Sequence, residues 1–144
     1  PNGKMARVAF VAAVASVFVA AALASEFTSP NVVHLTSKDY EEKTGDGKVY
    51  FIKYYAPWCG HCKRLAGTWK ELGDEFKGSS SIAIAHVDCT TDRDICQSAQ
   101  IKGYPTLKLV YKGEELKAYR GPRDKDSLKA FVEEAAREVT TEAA

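Results

Sequence analysis

Two cysteines stand two residues apart in the run Trp58-Cys59-Gly60-His61-Cys62. Because a helix is predicted to begin here, the first thiol faces unpaired backbone N–H groups and the positive end of the helix dipole, both of which stabilise a thiolate. The second thiol, one turn further on, is more shielded but close enough to attack a mixed disulfide formed by the first. The spacing therefore predicts thiol–disulfide exchange, with Cys59 as nucleophile and Cys62 as resolving thiol.

The residues between and before the two thiols are expected to tune this chemistry. A protonated His61 near Cys59 would favour the thiolate over the disulfide and make the disulfide a stronger oxidant. The alternative for His61 is an exposed loop residue without a role. Gly60 completes the motif, and Trp58 either shapes the surface around the dithiol or simply packs in a partly buried position.

The other two cysteines, Cys89 and Cys96, are spaced seven apart. A Cys-x-x-Cys pair is half of many zinc sites, but a four-thiolate site normally needs a second such pair, which this spacing does not supply. In an oxidising compartment the two cysteines are predicted to form a structural disulfide worth about 2 to 3 kcal/mol, with two free thiols as the alternative. We expect neither a metal nor an organic cofactor.

The N-terminal residues predict where the chain is sent. Arg7 follows Met5, an apolar run covers residues 8–23, and small residues lead to Ala24. This order is typical of a secretory signal peptide, whereas a retained anchor would need a longer apolar run with a basic flank after it. We therefore expect residues 1–24 to be removed and residues 25–144 to form the mature domain, with no stable membrane association after cleavage.

The overall charge is close to balanced. Twenty Lys and Arg stand against nineteen Asp and Glu, which gives a net charge of +1. Such a balance provides no field that would attract nucleic acid or an anionic membrane. We therefore expect no nucleic-acid partner.

Hydrophobic periodicity predicts the elements that hold the dithiol. Strands are expected at 32–35, 48–56, 82–87, 106–111 and 116–119, the last two joined by the turn Lys112-Gly113. Helices are expected from a Thr36 or Ser37 cap to Glu42, from the dithiol to Gly78, from a Thr91 or Asp92 cap to Gln100, and from an Asp126 or Ser127 cap onward. The order strand, helix, strand, helix, strand, helix, strand, strand, helix predicts one α/β domain with a mixed sheet covered on both faces.

Four runs of the sequence together resemble the protein disulfide isomerase family, within the thioredoxin fold. They are Tyr54-Tyr55-Ala56-Pro57-Trp58-Cys59-Gly60-His61-Cys62-Lys63, Val87-Asp88-Cys89-Thr90, Gly103-Tyr104-Pro105-Thr106 and Tyr119-Arg120-Gly121-Pro122-Arg123. The resemblance implies client proteins with thiols or disulfides as substrates, and glutathione or an upstream oxidase as redox partner. It also implies the lumen of the endoplasmic reticulum, although the last residues, Thr140 to Ala144, are not a lumenal retention signal and leave secretion as the alternative.

The resemblance also assigns residues away from the dithiol. It implies a cis bond between Tyr104 and Pro105, and a client groove formed there together with Trp58. It implies that an arginine swings towards Cys62 and lowers its pKa. Arg123 matches that place best, with Arg120 as the competing candidate and an ordinary surface arginine as the alternative for either.

One position departs from the family. Six residues before Cys59, where the family usually has a buried acid that shuttles a proton to the resolving thiol, this sequence has Lys53. A buried lysine would carry protons as a neutral amine or stabilise a thiolate as a cation, whereas one turned to solvent would do neither. The hypothesis is that proton transfer at Cys62 is slower than usual.

Two rival functions follow from the same residues. The domain would act as a chaperone-like binding module if the apolar surface at Trp58, Tyr104 and Pro105 mattered more than the redox chemistry. A plain thioredoxin-like reductase is disfavoured by the signal peptide and by His61.

Overall fold

The computed structural model describes residues 26–143. The predicted leader, residues 1–24, lies outside the described residues. Within the described part, no helix is both long and apolar enough to cross a bilayer.

The elements follow the order that the sequence predicts. They are β1 (Val33–His34), α1 (Tyr40–Thr44), β2 (Val49–Tyr55), α2 (Gly60–Glu75), β3 (Ile82–Asp88), α3 (Arg93–Ser98), β4 (Thr106–Tyr111), β5 (Glu114–Tyr119) and α4 (Lys125–Ala143). The sheet has the strand order β1-β3-β2-β4-β5. The first three strands are parallel, and β4 and β5 are each antiparallel to their neighbour, which confirms the mixed sheet of the thioredoxin fold.

Strand β2 is the centre of the sheet and carries the dithiol at its carboxyl end. All seven of its residues are buried. Strands β3 and β4 pair with its two edges, and helices pack on both faces of the sheet. The side chains on both faces of β2 are therefore buried, which explains its β-branched and aromatic residues. This burial fixes the direction from which the chain enters the active-site turn.

Helix α2 presents a continuous apolar face to the sheet. Leu65, Trp69 and Leu72 are all buried, as their spacing of four and three predicts. The indole Nε1 of Trp69 donates a hydrogen bond to the carbonyl oxygen of Ala85 at 2.9 Å, which ties the helix to β3. Helix α4 contributes to the same core cluster, and α3 and part of α1 pack in a second cluster on the opposite face.

Several helix and strand ends differ from the sequence prediction because local hydrogen bonds compete. Helix α1 begins after Asp39, since the backbone N–H and hydroxyl of Thr36 both donate to the Asp39 carboxylate. In front of α4, Asp124 accepts the backbone N–H and hydroxyl of Ser127, so neither predicted cap is the capping residue. Helix α2 ends at Glu75, three residues before Gly78.

The hairpin between β4 and β5 is longer than predicted. Lys112 and Gly113 both have positive φ, 52° and 80°, which suits a two-residue turn of type I′. Because the turn is this tight, β5 pairs from Glu114 rather than from Leu116. The hairpin leads the chain back to the segment that carries Arg120 and Arg123.

Candidate functional site

The two thiols of the motif lie at the start of α2 and differ in exposure. Cys59 precedes the first helical residue, with φ −79° and ψ 124°, and is partly exposed. Cys62, within the first turn, is completely buried. Both are free thiols. The chain therefore offers one thiol that a second protein can reach and one that it cannot.

The electrostatic surroundings separate the two thiols further. Partial burial acts to raise the pKa of Cys59, but hydrogen bonds from the Cys62 thiol and from backbone N–H groups of His61 and Cys62, together with the charge of Arg123, lower it overall. Burial raises the pKa of Cys62, and the neighbouring Cys59 adds to this effect against the charge of Lys53. The thiolate of the pair therefore resides on Cys59.

His61 lies on the exposed side of the motif and contacts Arg64. The guanidinium Nη2 of Arg64 is 2.6 Å from His61 Nδ1. Because a guanidinium only donates hydrogen bonds, Nδ1 of His61 is the acceptor in this contact. A ring with protons on both nitrogens could not accept this hydrogen bond, so the cationic His61 that the sequence predicts would require the contact with Arg64 to break.

An apolar surface surrounds the exposed thiol. The peptide bond between Tyr104 and Pro105 is cis, and the Cys59 Sγ lies 3.5 Å from the carbonyl oxygen of Tyr104. The Trp58 ring stands edge-on to the Tyr104 ring at 5.8 Å between centroids. Trp58 is 70% exposed, so the alternative of a partly buried packing residue is wrong. Pro105 is buried beneath this surface.

The two candidate arginines are both exposed, in the segment that follows β5. The charge of Arg123 contributes to the lowered pKa of Cys59. The positive charge that lowers the pKa of Cys62 in this arrangement is that of Lys53. The structure thus places the Arg123 charge near the nucleophile.

Lys53 is buried in the sheet face below α2, with 1% of its surface exposed. Its Nζ lies 5.2 Å from the ring centroids of Phe27 and Tyr55 and 5.9 Å from that of Trp69. The interpretation in which Lys53 turns to solvent is therefore wrong. Burial lowers the pKa of Lys53 to about 8, helped by Lys70 and opposed by Cys62.

Sequence reasoning missed Phe27 and two histidines in this region. Phe27 is buried and stacks on Tyr55 with 4.5 Å between ring centroids, although no periodic hydrophobic pattern in the segment before β1 marks this residue. His86 on β3 is 3% exposed, and its Nε2 is 3.0 Å from Nδ1 of His34 on β1. A His in the otherwise apolar run of β3 was the available signal, because a buried imidazole normally has a specific partner.

The remaining cysteines, Cys89 and Cys96, form a disulfide with a Cα–Cα distance of 5.7 Å. The bond joins the residue after β3 to α3, in the core cluster opposite to the face on which Cys62 lies. It is therefore separate from the dithiol. Among residues 26–143, no group of three or more His, Cys, Asp or Glu side chains is arranged to hold a metal ion.

Known proteins are similar to this chain in sequence and in fold. The thioredoxin family model matches residues 31–134. Protein disulfide-isomerase 5-1 of Arabidopsis thaliana is 41% identical over 110 residues, 76% of this chain and 75% of that protein. Protein disulfide isomerase-like 5-1 of Oryza sativa subsp. japonica is 41% identical over 106 residues, 73% of this chain and 72% of that protein.

A solved structure shows the same similarity in fold. The J-Trx1 fragment of ERdj5 superposes with a TM-score of 0.69 at 32% identity, covering 75% of this chain and 53% of that fragment. The chain thus spans about half of that fragment. The site geometry, the matched family model and the similarity to these relatives together lead to one conclusion. The chain belongs to the protein disulfide isomerase family of the thioredoxin fold and is a thiol–disulfide oxidoreductase.

Proposed function

We propose that the domain forms, reduces and rearranges disulfide bonds in client proteins through Cys59, Gly60, His61 and Cys62. The observation that carries this proposal is the difference between the two thiols. Cys59 is reachable and has a lowered pKa, whereas Cys62 is buried and has a raised pKa. A nucleophile and a delayed resolving thiol need this division.

The reaction begins with attack by the Cys59 thiolate on a client disulfide. A bond forms between Cys59 and one client sulfur, and the other client sulfur leaves with the electron pair and takes a proton from solvent. If Cys62 then loses its proton and attacks Cys59, the client thiol is released and the Cys59–Cys62 disulfide forms. In the reverse direction this disulfide oxidises a client dithiol.

The buried state of Cys62 gives time for rearrangement. A protonated Cys62 cannot attack, so the mixed disulfide lasts while another client thiolate attacks the client sulfur and completes an isomerisation. Lys53 is the buried group whose charge favours the Cys62 thiolate. Lys53 therefore sets the balance between escape from the mixed disulfide and rearrangement.

The client is proposed to bind over Trp58, Tyr104 and Pro105. An exposed Trp beside a second aromatic ring provides apolar contact area at low cost in side-chain entropy. An extended client segment would lie against the backbone before Pro105, next to the Cys59 sulfur. Arg123, exposed on the neighbouring segment, supports the thiolate form of Cys59.

The cellular setting is also part of the proposal. Residues 1–24 act as a removed signal peptide, residues 25–144 form the mature domain, and the domain works in the lumen of the endoplasmic reticulum with glutathione or an upstream oxidase. Support comes from the Cys89–Cys96 disulfide, since such bonds persist in oxidising compartments.

The test is refolding of a scrambled, fully oxidised multi-disulfide protein by the full chain in a glutathione buffer. We expect recovery of client activity, loss of this recovery in Cys59→Ser, and impairment in Cys62→Ser, which traps mixed disulfides. A protein that reduces insulin but leaves the scrambled client inactive would contradict the isomerase proposal. Equal recovery by Cys59→Ser would contradict the assignment of the nucleophile.

The exposure of Trp58 also favours a second candidate, a chaperone-like module that binds unfolded clients. The Cys59→Ser, Cys62→Ser double variant separates the two functions. If the double variant still suppresses client aggregation as well as the unchanged chain, binding is independent of the redox chemistry. If suppression is lost together with exchange, the chaperone-like function is excluded.

A further inference from the structure

Three basic residues form a row across neighbouring strands. His34 on β1 is the register partner of His86 on β3, and His86 is the register partner of Lys53 on β2. All three strands are parallel, so register partners lie on the same face of the sheet, less than about 5 Å apart between strands. The row runs from the edge of the sheet to its centre.

The outer part of the row connects the interior with solvent. His86 is 3% exposed, whereas His34 is exposed. Their ring nitrogens, His86 Nε2 and His34 Nδ1, are 3.0 Å apart, so one of them donates a proton to the other. This hydrogen bond is a direct link between a buried imidazole and one in contact with water.

The inner part of the row lies near the resolving thiol. Lys53 and Cys62 shift each other's pKa through their charges, and the charge of Lys53 also acts on His86. The Tyr55 ring lies 5.2 Å from Lys53 Nζ and 5.1 Å from the His86 ring. Lys53, His86 and Cys62 therefore share one buried region.

One atom in this region lacks the hydrogen bond that its burial calls for. Among the described residues, Nδ1 of His86 is the one buried side-chain nitrogen or oxygen atom that has no hydrogen-bond partner. Leaving a buried polar group unpaired costs about 1 to 3 kcal/mol. A purely structural position would be better served by an apolar residue, whereas a ring with one nitrogen paired and one vacant can take a proton on one side and release it on the other.

We propose that Lys53, His86 and His34 form a proton conduit between Cys62 and solvent. The proposal rests on the proposed role of Cys62 as resolving thiol and adds the route of its proton. His34 and His86 are positioning and proton-carrying residues that lie away from the reacting sulfur atoms.

The step balances as a proton transfer coupled to disulfide formation. In a mixed disulfide between Cys59 and glutathione, the Cys62 thiol gives its proton to the Lys53 amine. The Cys62 thiolate then attacks the Cys59 sulfur, the Cys59–glutathione bond breaks, and glutathione leaves as a thiolate that takes a proton from solvent. Lys53 returns to the amine as its proton enters His86 at Nδ1 while Nε2 releases another to His34, which passes it to water.

The charges that face the row keep a proton from resting on its buried members, so a proton that enters the row must be passed on. Lys70 on α2 disfavours the ammonium form of Lys53, and burial next to Lys53 disfavours a cation on His86. At the outer end, hydrogen bonds from Ser37 and Thr91 together with the charge of His34 lower the pKa of Asp92, which precedes α3. Tyr55, in the same region, has a pKa raised by burial and stays neutral.

The test follows oxidation of the full chain in its reduced form by oxidised glutathione, with Trp fluorescence in a stopped-flow instrument. The step of interest is the second one, in which Cys62 displaces glutathione. His34→Gln keeps a polar partner for His86 but cannot carry a proton, so we expect this step to slow by about tenfold in dilute buffer. Added imidazole at constant pH should restore the rate, and the equilibrium with glutathione should not change.

Lys38→Gln is the matched control, because it removes an exposed positive charge close to β1 but outside the row. It should oxidise at the unchanged rate. A normal second step in His34→Gln, or a slow one that imidazole does not restore, would overturn the conduit. If Cys62→Ser has no effect on displacement of glutathione, the proposed role of Cys62 fails instead, so the two failures are distinguishable.

Discussion

The Sγ atom of Cys59 lies 3.5 Å from the carbonyl oxygen of Tyr104, a residue 45 positions further along the chain. The contact brings together the start of α2 and the segment that enters β4. A client disulfide that reaches Cys59 must therefore also meet the side chains on either side of this contact. Trp58, which is 70% exposed, is one of them.

Trp58→Ala should weaken client binding without harming the fold. Exposed residues outside special backbone positions usually change stability by less than about 0.5 kcal/mol, whereas a buried aromatic contact in an interface is worth about 2 kcal/mol. We expect kcat/KM for a protein client to fall by about tenfold or more, and the rate with glutathione to change little. Steady-state refolding assays measure both.

Leu116→Ala is the matched control, since Leu116 is the other exposed large hydrophobic residue among those described, at 42% exposure on β5. It should leave kcat/KM unchanged. An equal loss in both variants would show that general surface hydrophobicity, and not the surface beside Cys59, binds the client.

Arg123→Gln should raise the pKa of Cys59, because the structure places the positive charge of Arg123 near this thiol. The pH dependence of alkylation by iodoacetamide reports this pKa, and the profile should move to higher pH. Arg120→Gln, which removes an exposed charge three residues earlier, should leave the profile in place. A shift only in Cys62 reactivity would instead support the role that the family resemblance implies.

The sequence predicts the order of the nine elements in residues 26–143, because their hydrophobic periods are clear. Four-and-three spacing in α2 and continuous apolar residues in β2 admit one interpretation each. The dithiol is predicted at the start of α2 for the same reason, since the strand before it and the helix after it are both unambiguous. Helix caps are less predictable, because the Thr36 N–H donates to Asp39 whereas the Ser37 N–H donates to Asp92, which is 55 positions away in the sequence.

The surroundings of Lys53 could not be predicted from the sequence. Phe27 reaches Tyr55 through a segment without any periodic pattern, and the pairing of His34 with His86 depends on the register of strands 52 residues apart. Both contacts are products of tertiary packing rather than of local preference. The sequence identified Lys53 as unusual, and the fold was needed to show what surrounds it.

Two glycines of α2 should respond in opposite ways to alanine. A Cβ at Gly73 would lie 2.6 Å from the carbonyl oxygen of Asn31, so Gly73→Ala must push the segment before β1 away and should cost about 1 to 3 kcal/mol. A Cβ at Gly67 meets nothing within 4 Å, so Gly67→Ala should stabilise the helix by roughly 1 kcal/mol. Urea unfolding midpoints measure both, and a stabilising Gly73→Ala would contradict the close approach.

Removing the Cys89–Cys96 disulfide should lower stability but spare the exchange chemistry. The bond closes a short loop with a sequence separation of 7, for which the chain-entropy model gives about 2 to 3 kcal/mol. We expect the Cys89→Ala, Cys96→Ala variant to lose this amount in urea unfolding while its rate with glutathione stays the same. The Cys59→Ser, Cys62→Ser variant is the converse control, since it should lose exchange with glutathione but keep the stability that the Cys89–Cys96 bond contributes. A slower rate with glutathione in the Cys89→Ala, Cys96→Ala variant would show that the two cysteine pairs are coupled.

Lys53→Met should stabilise the protein at pH 7, because it replaces a buried charge by an apolar side chain of similar length. The shift of the Lys53 pKa from 10.5 to about 8 corresponds to roughly 3 kcal/mol. Since the unfolded chain binds the extra proton between these two values, the stability of the unchanged protein should rise with pH from about 8 to 10.5. The advantage of Lys53→Met should shrink over the same range.

Urea unfolding of the disulfide form at several pH values measures this difference without titration of Cys62. Lys38→Met, at an exposed position, should show no such pH dependence. The same Lys53→Met variant should slow the displacement of glutathione by Cys62, because it removes the acceptor for the Cys62 proton. A variant that is more stable and resolves mixed disulfides at the normal rate would show that the buried lysine has no part in the chemistry, and that another group takes the proton of Cys62.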